Sequence, residues 1–201
     1  MHYMNDVANS LSRAIGARVK NERTARQWTL DRLAEAAGVS RRMVINVEQG
    51  VANPSVATLV RISDALSIGL PSLVEPPTTD STRLTRDGEG SVLWRGEHGG
   101  EGVLLVGTQQ ADSVELWDWT LAVDDVHRSD AHAPGTRELL QVRSGRVSVS
   151  SGSQVHILAP GDAIAFAGDN SHSYMNAGKE EARFLLAVFK PDLRKHQRKE
   201  P

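Results

Sequence analysis

The segment Thr29–Gly50 restricts the fold of this chain more than any other part, because it has the pattern of two short helices joined by a tight turn. Leu30, Leu33, Ala34 and Ala37 recur at i, i+3, i+4 and i+7, so they lie on one face of a helix. An apolar face on so short a helix predicts that it packs against other helices rather than standing alone.

A second helix is predicted directly after the first. Gly38 can adopt the positive φ that ends a helix, and Ser40 is a good N-cap for a helix over 41–48. That second helix would bury Val44 and Val47. Two helices joined by three or four residues that include a glycine are typical of DNA-reading helix pairs, in which the second helix enters the major groove.

The rest of residues 1–74 also reads as helical. Leu11, Ile15 and Val19 are spaced by four residues and predict the buried stripe of a first helix over about 7–23. A fourth helix is predicted after Ser55 and a short fifth segment at Leu70–Val74.

The second part of the chain has the pattern of short strands. Alternation with period two appears at Arg146–Ser150 and Gln154–Ile157, and many short strands at close spacing predict a β-sandwich or barrel. The other predicted strands are Val103–Val106, Val114–Val123, Glu138–Val142, Ala163–Phe166, His172–Met175 and Arg183–Lys190. The predicted organisation is a helical domain at 1–74, a proline-containing linker at 75–90, a β domain at 91–192 and a polar tail at 193–201.

Composition and charge limit the classes of function. The net charge of −2 divides into +3 for residues 1–74 and −5 for the rest, which suggests that the first part meets an anionic partner. The chain has no cysteine, no apolar run long enough to span a bilayer and no signal-peptide pattern at its start. We therefore expect a cytoplasmic protein without disulfides and without a membrane partner.

The helical part resembles the lambda-repressor-like helix-turn-helix domains of bacterial repressors, the XRE family. The resemblance covers residues 11–73 and follows the order AAGVS, VEQG and NPSVATLVRISDAL. The matching residues are Leu30, Leu33, Ala34, Gly38, Val39, Ser40, Val44, Val47, Glu48, Gly50, Pro54 and Leu59. This resemblance implies an all-α bundle of five helices that reads DNA with Ser40–Glu48.

The β part resembles a cupin, an all-β double-stranded β-helix barrel. His132, Glu138 and Gly145 lie in DAHAPGTRELLQVRSG, and Gly161, His172 and Asn176 lie in PGDAIAFAGDNSHSYMN, which match the two cupin motifs. This sequence departs from the motifs in that Asp130 stands in place of the leading histidine, and Ala167 and Asp169 replace a proline and a glycine. Together the two parts resemble bacterial regulators with a DNA-binding domain and a cupin sensor.

Candidate DNA contacts lie around the predicted second helix of the pair. Arg41 and Arg42 are placed to reach guanine edges or phosphates, Asn46 an adenine or a phosphate, and Ile45 a thymine methyl or the bundle itself. Backbone N–H groups at helix starts favour phosphate. The predicted DNA-binding residues are Gln27, Thr29, Ser40, Arg41, Arg42, Ile45, Asn46 and Asn53, with Arg26 as a further phosphate contact. Glu48 is expected to pair with Arg18 or another cation of the first helix.

Candidate ligand residues lie in the cupin-like motifs. Asp130 and His132 would share one face of an extended strand, and Glu138 and His172 on neighbouring strands could converge with them. The predicted metal ligands are Asp130, His132, Glu138 and His172, and a divalent transition metal is a possible cofactor. The alternative is an organic effector bound without metal, with His132, Arg137, Glu138, Gln141, His172 and Tyr174 as the predicted contacts.

The predicted function is sequence-specific DNA binding that regulates transcription, without enzymatic activity. One helix-turn-helix bundle covers half a site, so the expected partners are a second copy of the chain, a pseudo-palindromic double-stranded operator and a small-molecule effector. The cupin domain is expected to sense the effector and to provide the dimerisation surface. A metal-dependent cupin enzyme, such as a dioxygenase or isomerase with a DNA-binding domain, is the alternative, and a protein-interaction module is the third interpretation. Trp94, Trp117 and Trp119 are expected in the core or at a dimer surface, and His98, His127 and His156 at surface or edge positions.

Overall fold

The protein is described by a computed structural model that covers residues 2–52, 54–66, 68–74, 82–108 and 112–191, with side chains described from residue 11 onward. The chain divides into two compact units, Met1–Pro77 and Thr78–Pro201. The first part of the predicted linker, at 75–81, and the predicted polar tail lie outside the described residues. Within the described residues, no helix is both long enough and apolar enough to cross a membrane.

Among its described residues, the first unit consists of five helices, as predicted. They are α1 (His2–Ala25), α2 (Leu30–Ala37), α3 (Arg41–Glu48), α4 (Val56–Ala65) and α5 (Leu70–Val74). The first helix is longer than the predicted 7–23, because the apolar stripe marks only the part of a helix that is buried. The core of the unit includes the predicted Ile15, Val19, Val44 and Val47, each at most 4% exposed.

The helix pair lies close against α1. A Cβ on Gly16 would come within 2.3 Å of the carbonyl oxygen of Val47, so the approach of α1 to the end of α3 requires a glycine there. Arg18 adds a contact to the end of the bundle by donating from Nη1 to the carbonyl of Leu73 at 2.9 Å. The first contact packs α1 against α3 of the helix pair, and the second ties α1 to α5.

In the part of the second unit that the structure describes, ten antiparallel strands form two sheets. The strands are β1 (Ser91–Arg95), β2 (Glu101–Gly107), β3 (Ser113–Leu121), β4 (Val126–Ser129), β5 (Arg137–Ser144), β6 (Val147–Ser151), β7 (Gln154–Leu158), β8 (Ala163–Ala167), β9 (His172–Asn176) and β10 (Ala182–Lys190). The six-stranded sheet has the order β1-β2-β3-β10-β5-β8, and the four-stranded sheet has the order β4-β9-β6-β7.

Two strands were not predicted, and one prediction about orientation was wrong. β1 and β4 were missed because neither shows a long run of alternating residues. Since β4 ends at Ser129, Asp130 and His132 follow the strand instead of continuing it. The period-two argument that put both side chains on one face therefore does not hold.

The inner faces of the two sheets pack against each other through aromatic side chains. Trp119 of β3 lies 5.9 Å from Phe184 of β10 and 5.8 Å from Tyr174 of β9, measured between ring centroids. Trp117 and Trp119 are each 3% exposed, so of the two predicted locations for them, core and dimer surface, the structure has the core. This aromatic layer separates the two sheets and leaves polar side chains at one end of the space between them.

A buried carboxylate ties two turns of the β unit together. Asp125 accepts backbone N–H bonds from His98 at 3.0 Å, Gly100 at 2.7 Å and Ala122 at 3.1 Å. Burial alone would raise the pKa of Asp125, but these backbone donors outweigh burial and hold the pKa below its ordinary value. The β1–β2 turn and the turn after β3 are therefore held by one ionised side chain.

Candidate functional site

The helix pair has the caps that the sequence predicts. Thr29 Oγ1 accepts the N–H of Arg32 at 3.1 Å and begins α2, and Gly38 ends it with a φ of 61°. Ser40 Oγ accepts the N–H of Met43 at 3.1 Å and begins α3. Thr29 and Ser40 are both exposed, so the starts of the two helices open towards solvent, where backbone N–H groups favour an anion.

The start of α3 presents two cations to solvent. Arg41 and Arg42 are exposed, whereas Val44 and Val47 are 0% and 1% exposed against the bundle. Ile45 and Asn46 are half-buried at the border between these two faces. The helix therefore keeps an apolar face inside and a polar first turn outside.

Three further residues were predicted to contact phosphate, and their surroundings differ. Gln27 is exposed and adopts a positive φ of 57° directly after α1. Asn53 lies outside the described residues. Arg26 is engaged inside the unit, because its Nη2 donates to the carbonyl of Leu66 at 2.6 Å and its Nη1 contacts the Glu22 carboxylate at 2.5 Å. The guanidinium of Arg26 closes the end of α4, so the prediction that it contacts phosphate is not supported.

Glu48 has the structural role that the sequence predicts. Arg23 of α1 donates from Nε to Glu48 Oε1 at 2.6 Å and from Nη2 to Oε2 at 2.9 Å. The side chains are 12% and 8% exposed, and hydrogen bonding to Glu48 raises the pKa of Arg23 above its ordinary value. The cation of the first helix is thus Arg23 rather than Arg18, and the pair anchors the end of α3.

A second ion pair links the starts of the two helices. Arg41 Nε lies 3.0 Å from Asp31 Oδ1 across the turn, and the side chains are 56% and 75% exposed. Because the contact is at Nε, the two terminal nitrogens of Arg41 remain available for a planar acceptor. The sequence interpretation did not include Asp31, although an acidic residue in the first turn of α2 was visible.

In the β unit, three of the four predicted metal ligands come together. Glu138 of β5 and His172 of β9 face each other between the sheets, and His132 reaches them from the segment after β4. His132 Nε2 lies 3.1 Å and His172 Nε2 3.2 Å from Glu138 Oε1. The ligand atoms of the three residues lie within 4.8 Å of one another.

The electrostatics of this cluster favour an ionised carboxylate at Glu138 with a positive charge beside it. Burial opposes ionisation of Glu138, but His132 and His172 outweigh it and hold the pKa of Glu138 well below its ordinary value. Burial also lowers the pKa of His172, but Glu138 and the Asn170 carbonyl outweigh burial, so the pKa of His172 is raised. Tyr174 donates a short hydrogen bond to Glu138 Oε2, which leaves Oε1 for the imidazoles.

Of the other predicted ligand residues, Asp130, Arg137 and Gln141 lie away from this cluster, whereas Tyr174 is hydrogen-bonded to it. Asp130 is exposed, and its carboxylate is not among the converging ligand atoms. Arg137 and Gln141 alternate with Glu138 and Leu140 along β5 and lie on the outer face of the sheet. Tyr174 is 1% exposed, and burial together with Glu138 raises the pKa of its phenol well above the ordinary value. Its hydroxyl is thus bound to Glu138 rather than open to a ligand.

A cleft that the sequence did not predict lies between β7 and β8. Its volume is about 620 Å³, and its lining includes Gln154, His156, Phe166 and Asn170. The ring of Phe166 lies 5.5 Å from the ring of His172, so the cleft ends beside the cluster. His156, expected at a surface or edge position, lines this cleft on an edge strand, and the alternation of β7 is the only signal that could have placed it there.

His127, expected at a surface or edge position, lies half-buried on β4, an edge strand of the four-stranded sheet, with its ring among aromatic side chains. Its ring lies 4.6 Å from Trp119, 5.4 Å from Trp94 and 5.9 Å from Tyr174. Burial lowers the pKa of His127 to about 4, assisted by His172 and partly offset by Glu138. The missing signal was the position of β4 opposite the tryptophans, which depends on sheet pairing.

The residues of the cluster fit a divalent transition metal. The Nδ1–H of His172 donates to the Asn170 carbonyl at 2.8 Å, so the lone pair of a neutral ring at Nε2 points towards the Glu138 carboxylate. Two acceptors in that position require a proton or a metal ion between them. Nitrogen and oxygen ligands about 2.1 Å from one ion and about 90° apart lie about 3.0 Å from each other, close to the contacts observed here.

These features define a class of protein in which a helix-turn-helix unit is joined to a two-sheet β unit with a buried histidine–carboxylate site. Residues 19–73 match the helix-turn-helix family HTH_3, and residues 117–189 match the cupin-domain family Cupin_2. The chain therefore combines a helix-turn-helix domain of the XRE type with a C-terminal cupin domain.

Relatives match the chain over most of its length. The HTH-type transcriptional regulator SutR of Escherichia coli strain K12 is 25% identical over 182 residues, which cover 90% of this chain and 98% of SutR. A crystal structure of an HTH_3 family transcriptional regulator from Vibrio cholerae superposes with a TM-score of 0.73 at 27% identity and covers 92% of this chain and 99% of that chain. A hydroxypropylphosphonic acid epoxidase from S. wedmorenis is 21% identical, with a TM-score of 0.47 over 90% of this chain and 98% of that one; so loose a match carries no argument about activity.

Proposed function

We propose that this chain is a transcriptional regulator that binds double-stranded DNA through α3 and senses a small molecule in its cupin domain. The observation that carries the proposal is the exposed first turn of α3, with Arg41 and Arg42 outward and Val44 and Val47 buried. Two relatives that match nearly the full length are named transcriptional regulators, which supports the same assignment.

We propose different tasks for different side chains. Arg41 and Arg42 lie where a recognition helix meets base edges, and an arginine bound to guanine O6 and N7 contributes about 1–3 kcal/mol of discrimination. Thr29 and Ser40 open the starts of α2 and α3 towards phosphates, and Gln27 adds an exposed amide nearby. Ile45, Asn46 and Asn53 remain proposed contacts.

One helix-turn-helix unit reads only half of an operator of usual length. We therefore propose a homodimer on a pseudo-palindromic site, with half-sites about one helical turn apart. Binding of the effector would change DNA affinity only as far as it favours one arrangement of the dimer, and a coupling of about 1–3 kcal/mol is typical. The protein would act in the cytoplasm, where the chromosome of a bacterium is accessible.

Selection of bound sequences from a random DNA pool tests the DNA-binding proposal directly. Full-length protein should enrich one motif with two related halves. Arg41→Ala should relax the preference at one or two base pairs, whereas Arg32→Ala, an exposed arginine on α2, should weaken all sequences slightly and equally. No enriched motif would contradict the proposal, and equal losses from both variants would remove the reading role from Arg41.

The effector would enter through the cleft beside Phe166 and end at the His132–Glu138–His172 cluster. The named lining residues carry no formal charge, apart from His156 when it is protonated, so the cleft favours a neutral ligand of moderate polarity. Asn170 orients His172, and Tyr174 fixes Glu138, so the chain presents two imidazoles and one carboxylate oxygen in a defined direction.

The cluster would hold a divalent transition metal through His132, Glu138 and His172. A bound metal would supply a Lewis-acid position for an oxygen or nitrogen of the effector. Metal analysis of purified full-length protein should find about one ion per chain, lost in His172→Ala and Glu138→Gln and retained in His156→Ala, which changes only the cleft. A metal-free protein that still responds to an effector would support direct binding by the side chains.

A metal-dependent cupin enzyme is the second candidate, because two histidines and one carboxylate also form the metal site of non-haem iron oxygenases. It predicts oxygen uptake or turnover of a cleft ligand that His172→Ala abolishes. The regulator predicts instead that metal or ligand changes DNA affinity without turnover. Measuring ligand consumption alongside DNA affinity separates the two.

A further inference from the structure

The outer face of the six-stranded sheet exposes an apolar surface. Side chains that alternate with the buried ones on β3, β10, β5 and β8 point away from the core. This outer apolar face consists of Val114, Leu116, Leu139, Ala163, Ala165, Leu185, Ala187 and Phe189. Val114, Leu139 and Phe189 are 45%, 53% and 37% exposed, and the face contains a shallow hollow of about 370 Å³. So many neighbouring apolar side chains mark an interaction surface rather than scattered exposure.

The register of the strands arranges the centre of this face as an alternating row. Leu116 pairs with Ala187, Ala187 with Leu139, and Leu139 with Ala165. Large and small side chains therefore alternate across four strands in the order Leu, Ala, Leu, Ala. Ala187 lies between the two leucines and Ala165 lies beyond Leu139, and both alanines line the hollow.

We propose that this outer apolar face is the dimer interface and that its occupant is the same face of a second copy. A twofold axis parallel to the strands, between β10 and β5, reverses the order of the row in the partner. Leu116 then meets Ala165 of the partner copy, and Leu139 meets Ala187, so every leucine faces a hollow. Because reversing the row exchanges leucine and alanine positions, the row is complementary to its own copy. The two sheets then pack face to face, as in a β-sandwich.

The flanking rows agree with the same axis. One row has the order Val114, Phe189, Arg137, Ala167, and the other has Asp118, Leu185, Gln141, Ala163. Reversal places Arg137 of one copy opposite Phe189 of the other, a favourable cation–π pairing. It also places no like charges opposite each other. Arg137 contacts Asp169 at 3.8 Å and Asp118 accepts from Arg183 at 2.8 Å, so these charges already have partners at the rim.

The outer face of the four-stranded sheet provides a matched comparison. Ile157 and Val155 are each 65% exposed there, more than any residue quoted for the outer apolar face. Ser148 separates Ile157 from Met175 in its central row, and Ser150 and Ser173 bind each other at 2.7 Å in the next. If exposure alone decided, the outer face of the four-stranded sheet would be the better candidate for the dimer interface. The unbroken apolar surface and the self-complementary order of its rows favour the outer apolar face instead.

The biological role of this interface rests on the proposed DNA-binding function, but the interface itself is tested on the full-length chain without DNA. Sedimentation equilibrium should show a dimer at micromolar concentration. Leu139→Arg should raise the dimer dissociation constant at least about 100-fold, and Ile157→Arg should leave it unchanged. A monomeric native chain overturns the inference, and so does dissociation by Ile157→Arg but not by Leu139→Arg.

A size swap tests the pairing itself. Ala165→Leu should raise the dissociation constant about 10-fold, because two leucines would then meet, and adding Leu116→Ala should restore it to within about threefold. Failure of the second change to restore the dimer in a folded protein overturns the proposed axis. A monomer that still selects a DNA motif refutes only this interface, whereas a dimer that selects none refutes only the DNA-binding function.

Discussion

The helical unit and the β unit place their polar side chains in opposite ways. In the helical unit, the residues proposed to act on a partner are exposed, and a buried ion pair, Arg23–Glu48, holds their helix in place. In the β unit, the candidate site is buried between the sheets, and the exposed outer face is apolar. A surface meant for a large polyanion must stay hydrated and open, whereas a small ligand or metal is bound best by groups removed from water.

This comparison predicts the largest loss of stability for Glu48→Ala. The change leaves the Arg23 guanidinium nearly buried without its carboxylate, and breaking a buried pair in this way destabilises by about 3–5 kcal/mol. Urea denaturation of the full-length protein, followed by helical circular dichroism, measures it. Glu35→Ala is the control, because Glu35 pairs with Arg32 at an exposed position and should matter by less than about 0.5 kcal/mol. Similar losses from both variants would contradict a buried anchor under α3.

A smaller loss is expected from Asp125→Ala in the β unit. Three backbone N–H groups lose their acceptor, and the expected destabilisation is about 2–3 kcal/mol, seen in the tryptophan fluorescence of the β unit. Because the pKa of Asp125 is lowered in the folded state, its contribution is present above about pH 3.9 and is lost as the pH falls below that value. An unchanged acid midpoint in the variant would show that another carboxylate controls this range.

Two histidines give the stability of the β unit opposite dependences on pH. Unfolded His127 binds a proton near pH 6.5, but the folded residue does so only near pH 4, so stability falls as the pH drops from about 6.5 to about 4. His127→Phe should remove this loss, up to about 1.4 kcal/mol per pH unit. The measurement is the free energy of unfolding across that range.

The pKa of His172 is shifted in the opposite direction to that of His127, so a His172 variant provides a check on this result. Its pKa is raised in the folded state, so its contribution is full below about pH 6.5 and is lost as the pH rises through the folded pKa. His172→Ala should therefore steepen the loss towards acid. A slope that neither variant changes would refute the placement of His127 among the tryptophans.

The smallest change in stability is expected from Asp31→Ala, although it should alter DNA selection. The exposed ion pair with Arg41 contributes less than about 1 kcal/mol to folding. Without Asp31 the guanidinium of Arg41 is less restricted and the surface less negative, so binding to all sequences should tighten while discrimination at one base pair falls. Comparing selected motifs for the native chain and the variant measures both. A sharper preference at that base pair would contradict a positioning role for Asp31.

Much of the helical unit was predictable because its signals are local. Thr29, Gly38 and Ser40 set helix limits through contacts with residues at most four positions away, and α3 and α5 have the predicted bounds. The partner of Glu48 was not predictable, because Arg18 and Arg23 both lie on α1 and only packing places Arg23 within reach. For the β unit, strands with clear alternation were found, whereas β1 and β4 were not.

By itself, the sequence determined the helix pair and the two-part organisation, because capping and periodicity act over short distances along the chain. His132, Glu138 and His172 were indicated by the resemblance to the two cupin motifs. Only the tertiary structure excluded Asp130 from the cluster, moved Arg137 and Gln141 to the outer face and placed His127 among aromatic rings. Sheet register and the end of β4 decide these positions. Both depend on contacts between residues far apart in sequence, which no local pattern encodes.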